Sequence, residues 1–171
     1  SSKPRRDDPA ARAWGLTRRW LRFGTRSTAE LRTYLRSKQV PHALIPGVVQ
    51  RASHAGLVDD RACAALWATR LADQGYARQA IRRRLEAKGL AVPLQDDDES
   101  RAREVVQRVL SLASARDPRR GIPRPRAEGR SQALQGLRLQ RRLARLLAQR
   151  GFDSDLIDRV LADSFEALAT D

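Results

Sequence analysis

Three stretches of the chain carry one pattern: an apolar pair four residues apart, followed by a short turn that closes on another apolar residue. The copies are Leu31 and Leu35 before Lys38-Gln39-Val40, Ile81 and Leu85 before Lys88-Gly89-Leu90, and Leu143 and Leu147 before Arg150-Gly151-Phe152. Matching positions are offset by 50 and then by 62 residues. The first and third copies also continue alike: Leu44, Ile45, Val48 and Val49 follow Val40 as Leu156, Ile157, Val160 and Leu161 follow Phe152. Self-similarity at such a period marks small supersecondary units, each unable to bury its apolar face alone. The chain is thereby constrained to a repeat architecture, whose working parts are extended surfaces rather than an enclosed pocket.

The period within each copy is helical, and no alternating strand pattern accompanies it. Asp8-Pro9 predicts an N-cap and first turn for a helix reaching about Phe23. Ser27-Thr28-Ala29-Glu30 predicts a capping box, opening a helix to about Lys38. A third helix is expected over about Pro41 to Ala55, kinked where Pro46-Gly47 removes a backbone donor. The second copy is expected to use helices over about Asp60 to Asp73 and Ala77 to Lys88. Past Leu90 the pattern fails, because Leu94, Gln95, Asp98 and Glu99 stand where the flanking copies hold four aliphatics. The middle repeat is therefore predicted to have a shortened or missing third helix, with an acidic turn leading into a helix from about Ser100 to Ala115. A Pro- and Gly-rich linker follows over 117–131. Two last helices are expected over about Leu137 to Arg150 and Ser154 to Leu168, with Asp153 as cap and Phe152 packed on Ile157. The predicted organisation is a flexible tail at 1–7, repeat one at 8–58, a truncated repeat two at 59–95, and repeat three at 96–171.

Charge narrows the function. Lysine and arginine number 34 against 20 acids, for a net charge of +14 and a pI near 11.5. Nucleic acid or an acidic protein surface is the partner class that such a balance favours. The excess is local: residues 101–150 hold fourteen arginines against Glu104, Asp117 and Glu128, while 151–171 are net acidic. No apolar run approaches a membrane span, and the start lacks the apolar core of a secretory signal. The chain contains no methionine, so Ser1 is not expected to be the translated start. The single cysteine, Cys63, excludes an internal disulfide and fits a reducing cytosol.

Catalytic chemistry has little to draw on. His42 and His54 are not adjacent to Cys63, and no metal-ligand spacing, phosphate-cradling glycine loop or nucleophile elbow occurs. The acids at 96–99 are expected to favour a helix N-terminus, where the macrodipole is positive, and not to hold a metal. Cys63 is expected in the core. The basic helix says more. Arg138, Arg142, Arg145 and Gln149 fall within about 60° on a helical wheel, opposite Leu139, Leu143, Leu146 and Leu147. No glutamate interrupts that stripe to form i,i+4 pairs, so it is expected to bind. Arg78, Arg82, Arg83 and Arg84 are a weaker copy, since Glu86 is near and four arginines cannot share one face.

These residues resemble the RecX family, bacterial regulators of the RecA recombinase. The likeness rests on Gly56-Leu57-Val58-Asp59-Asp60-Arg61, on Gly75-Tyr76 with Ile81, Leu85 and Lys88-Gly89, and on Arg141-Arg142-Leu143-Ala144-Arg145 through Arg150-Gly151-Phe152, Ile157, Val160 and Leu161. With Ser27 through Leu35 it spans about residues 16–168. Ala77 and Gln39 stand where glycine is usual, and Pro46-Gly47 interrupts a normally smooth helix. The resemblance implies an all-α, elongated and curved array of three-helix repeats that lies in the groove of the RecA–DNA filament. There it would limit filament growth, ATP hydrolysis, strand exchange and stimulated repressor cleavage, without catalysis, cofactor or metal. Arg138, Arg141, Arg142, Arg145, Arg78, Arg82, Arg83 and Lys88 are the expected contacts. A cytoplasmic monomer is expected, with the RecA filament as partner, single- or double-stranded DNA as a further contact, and no membrane. The alternative is a plain DNA- or RNA-binding helical protein that meets phosphates through its arginine surface.

Overall fold

A computed structural model of the chain describes residues 8–95, 97–116 and 130–170, with side chains over 8–95, 97–115 and 133–167. The predicted tail at 1–7, Asp96 and most of the predicted linker, 117–129, lie outside the described residues. The described chain is all-helical: α1 Pro9–Leu21, α2 Thr28–Ser37, α3 Ile45–His54, α4 Asp60–Asp73, α5 Arg78–Glu86, α6 Asp98–Arg116, α7 Arg130–Gln149 and α8 Ser154–Thr170, with a single 3₁₀ turn at His42–Leu44. It forms two compact units. Unit one runs to Thr69 and takes in Arg82–Pro93; unit two comprises Arg70–Ile81 and the chain from Leu94 onward. The second repeat is thus divided, with α4 and α5 each contributing to both units.

In unit one, α1, α2 and α3 pack together. Asp8 caps α1 through the Ala10 amide at 3.0 Å, with Pro9 in the first turn. The capping box forms as predicted: Ser27 Oγ accepts from the Glu30 amide, and Glu30 Oε2 accepts from the Ser27 amide, both at 3.0 Å. Leu31 and Leu35, the apolar pair of the first copy, are fully buried beside Ala13, Ile45, Val49 and Ala52. Each such leucine contributes about 2 kcal/mol by leaving water. Trp20 and Tyr34 stack at 4.7 Å on the flank of this core. One expectation is corrected here. Pro46 does not kink a long helix, because the chain turns through His42–Leu44 first and α3 begins at Ile45. In the first turn a proline's missing N–H has no helical partner to lose.

In unit two, α6, α7 and α8 pack together. The apolar pair of the third copy, Leu143 and Leu147, is fully buried with Val106, Leu110, Phe152, Ile157 and Val160. Phe152 and Ile157 share this core across the start of α8, and Asp153 accepts from the Asp155 amide at 3.0 Å. Arg103 ties α6 to α8 through Asp163 at 2.9 Å while holding Glu99 at 2.8 Å. α7 begins at Arg130, seven residues before the expected Leu137 and inside the predicted linker. Gly136 lies within the helix and is buried; a glycine there costs about 1 kcal/mol relative to alanine but does not end a long amphipathic helix. Residues 91–95 carry no helix, so the third helix of the middle repeat is missing as its sequence predicts. α6 starts at Asp98, two residues ahead of the expected Ser100.

One junction recurs, once in each unit. Asp60, first residue of α4, accepts the Thr28 amide and the Thr28 hydroxyl on its two carboxylate oxygens, both at 2.7 Å, and so caps α2 from outside. Asp98, first residue of α6, accepts the Arg78 amide at 2.7 Å and caps α5 in the same way. Beside each cap, the turn after a second helix meets the start of another. Ser27 Oγ donates to the Lys88 carbonyl at 2.7 Å, and the Ala77 amide donates to the Arg150 carbonyl at 3.0 Å.

The turn residue follows from this junction. Gly89 and Gly151 adopt φ of 67° and 84°, and a Cβ on them would lie 2.5 Å and 2.8 Å from the Cβ atoms of Ala29 and Ala80. Gln39, their counterpart in the first copy, takes the same left-handed conformation at φ 56° but is exposed. It bears the backbone strain alone, whereas the other two positions also require close approach. Gln39→Gly should therefore raise stability by up to about 1 kcal/mol, since a left-handed non-glycine costs about that much. Gly151→Ala should lower it by about 2 kcal/mol or more, combining strain with overpacking. Thermal or urea unfolding of the two variants checks both signs.

Candidate functional site

The sequence-predicted contacts fall into three settings. Arg138, Arg141, Arg142 and Arg145 are all exposed on α7, and none pairs with an acid among the described residues. They share one side of the helix because α7 turns its leucines inward, with Leu143 and Leu147 fully buried and Leu139 and Leu146 packed against the same core. Amphipathicity places the guanidinium groups; a like-charged row with no carboxylate at i±4 keeps them available. The acids of α8 do not neutralise this row: Asp163 is held by Arg103 instead.

Arg82 and Arg83 project from α5 into solvent within unit one. Arg78 belongs to unit two and is half-buried, its amide occupied by Asp98. Arg78 and Arg82 lie on one side of α5 with Arg83 about 100° further round, so Arg78, Arg82, Arg83 and Arg84 do not share one face, as their spacing predicts.

Lys88 is placed differently from the expectation. Its ammonium lies 2.8 Å from Glu30 Oε1 and 4.3 Å above the Trp67 ring. Glu30 is in turn held by the capping box. Burial pushes the Glu30 carboxyl up, but the hydrogen bonds from Lys88 and the Ser27 amide, with the Lys88 charge, outweigh it and leave the group below its ordinary value. Lys88 thus helps fasten the junction in unit one.

The residues that chemistry would draw on are placed as follows. Cys63 is fully buried, and burial together with the Glu30 and Asp60 carboxylates pushes its thiol up, away from the reactive thiolate. His42 and His54 are both exposed and twelve residues apart. Among the described residues no cluster of three metal-ligating side chains occurs, and no helix is long and apolar enough to cross a membrane. A second basic surface, made by Arg18 and Arg19 on α1 and Arg22 at its C-cap, is not among the sequence-predicted contacts. Its signal was present as three arginines at one helical face, but they were not set against a loop more than thirty residues away.

Comparison with known proteins bears on what this arrangement serves. Residues 126–161, which contain the whole of α7, match the family model described as RecX, third three-helix domain. The chain is 30% identical to the regulatory protein RecX of Thermobifida fusca over 94% of its own length and 83% of that protein's. It is also 30% identical to the regulatory protein RecX of Streptomyces coelicolor, over 93% of its length and 80% of that protein's. A crystal structure of RecX from Lactobacillus salivarius superposes with a TM-score of 0.60 at 15% identity, covering 91% of this chain and 96% of the other. That likeness concerns the fold.

The division between fastening and free cations has a measurable consequence. Lys88→Gln should cost about 1 kcal/mol at neutral pH, the sum of a partly buried ion pair and a ring contact, and lower the melting temperature by about 2–4 °C. Arg82→Gln and Arg83→Gln should leave it unchanged. Because the Glu30 carboxyl is depressed in the folded state, the stability it supplies is present above its unfolded pKa and lost as pH falls through the folded one. The Lys88→Gln deficit should therefore shrink below about pH 4, as thermal melts across that range would record.

Proposed function

The chain belongs to the RecX family, and from that premise we propose that it is a non-enzymatic inhibitor of the RecA recombinase. In this reading it binds the groove of the RecA–DNA filament in the cytoplasm as a single copy. There it limits filament growth and, with it, ATP hydrolysis, strand exchange and repressor cleavage. The observation that carries the reading is the α7 stripe of Arg138, Arg141, Arg142 and Arg145. It is exposed, of one sign, unpaired by any described acid, and sits within the segment that matches the third RecX domain. Planar guanidinium forks suit both partners a filament groove offers, the phosphates of the bound strand and the carboxylates of the protein coat.

The fold supports this use. The apolar side of α7 is anchored by a packed core, so the arginine row is presented on a rigid element and little ordering is needed when it binds. Titrating the protein into RecA of the same organism on single-stranded DNA should lower the rate of ATP hydrolysis. Arg138→Gln/Arg142→Gln/Arg145→Gln should melt at the wild-type temperature, as surface substitutions usually do, and inhibit at least tenfold more weakly. A wild-type protein without effect at micromolar excess in low salt would refute the reading, and an equally inhibitory triple variant would refute the role of α7.

A further inference from the structure

Unit one carries a basic groove that the α7 arginines do not explain. It encloses about 710 Å³ and is lined by Gly15, Arg18, Arg19, Leu21 and Arg22 from α1 and its C-cap, and by Gly56 and Leu57 from the loop after α3. Arg18, Arg19 and Arg22 are exposed, the lining holds no carboxylate, and none of the three pairs with an acid among the described residues. They lie within about 100° around α1, on the side opposite the buried Ala13 and Thr17. Gly15 sits at the middle of this face, and a Cβ built on it meets no atom within 4 Å. The backbone there is open to a ligand, with cations on either side of it.

Two apolar features accompany the charge. Leu21 and Leu57 give the groove an aliphatic wall, Leu57 being 41% exposed. Phe23, one residue past Arg22, is 78% exposed, the most exposed large apolar side chain among the described residues. A duplex would offer phosphates to the arginines but no base face to the ring. An unpaired strand offers both.

We propose that this groove, together with Phe23 one residue past Arg22, is a single-stranded nucleic-acid site. Arg18, Arg19 and Arg22 take successive phosphates along α1, the open backbone at Gly15 lets the strand approach closely, and the Phe23 ring stacks on one base. A positively charged track flanked by an exposed aromatic ring is the arrangement that binds single strands without reading sequence. The site lies in unit one, whereas α7 belongs to unit two, and it does not depend on the reading given under Proposed function.

The test uses the full chain and a fluorescein-labelled oligothymidylate of about twenty nucleotides, free of RecA and followed by anisotropy over a salt series. Arg18→Gln/Arg19→Gln/Arg22→Gln should weaken binding tenfold or more at low salt and reduce the salt slope by about two, since about 0.7 counterion is released per phosphate neutralised. Phe23→Ala should weaken binding about fivefold or more yet leave binding to inorganic polyphosphate, which has no bases, unchanged. Gly15→Glu separates binding from folding: it replaces a helical glycine with a better helix former in open space, so it should melt higher while binding the oligonucleotide less tightly. A triple variant or Gly15→Glu that binds with wild-type affinity and slope overturns the proposal. So does a triple variant that keeps the oligonucleotide but loses poly-glutamate, which would make the groove a seat for acidic protein. Because RecA is absent throughout, failure here leaves filament inhibition untouched, and failure of filament inhibition leaves this site untouched.

Discussion

A carboxylate placed on the start of a helix it does not belong to organises this protein. Helix N-termini leave backbone amides without partners and carry the positive end of the macrodipole. Asp60 satisfies both needs for α2, and Asp98 does so for α5. In each case the acid is the first residue of a later helix, so the cap also fixes where that helix begins relative to the earlier one. Adjacent aspartates divide the work at both places. Asp59, just ahead of α4, accepts the Ala62 amide and leaves Asp60 to reach across; Asp97 opens α6 through its carbonyl while Asp98 reaches across.

Much of this could be read in the residues, because the interactions concerned are local. Ser27 and Glu30 are three positions apart, and the capping box needs nothing else. The leucine pairs are legible for the same reason, since a helix facing a core repeats its apolar side chains every three to four residues. The missing third helix of the middle repeat was visible as Gln95, Asp98 and Glu99 at positions that should be aliphatic. What could not be read are contacts made across long stretches of chain. Asp60 meets Thr28 at a separation of 32 residues, and Asp98 meets Arg78 at 20. Sequence position alone assigned those acids only to their own helices. Pro46 was misplaced because the 3₁₀ turn that precedes α3 has no marked signature, and a proline in a first turn looks in sequence like one in an interior.

The candidate binding residues divide along the same line. The α7 stripe was legible because its position follows from the leucines opposite it. Lys88 was not, since its engagement with Glu30 and Trp67 joins residues from α2 and α4. Conversely, Arg18, Arg19 and Arg22 are plain in the sequence, but the groove they line exists only because Gly56 and Leu57 return beside α1. Charge alone does not separate cations that fasten a fold from cations left over for a partner. The neighbour supplied by tertiary structure does.

The borrowed caps give the chain a direction. An amide satisfied by a residue made later has no partner during synthesis until that residue has emerged: α2, which has its own Ser27–Glu30 box, gains the Thr28 contacts only with Asp60, and the Arg78 amide of α5 waits for Asp98. Completion therefore passes from each segment back to its predecessor as the ribosome advances. A fragment cut just ahead of either aspartate would keep every leucine of its own repeat and still lack the outside cap on its second helix. Duplication could lengthen such a chain without difficulty, because each new copy would bring the acid its predecessor requires, whereas loss of the last copy would strip a cap from a neighbour that had lost no residue of its own.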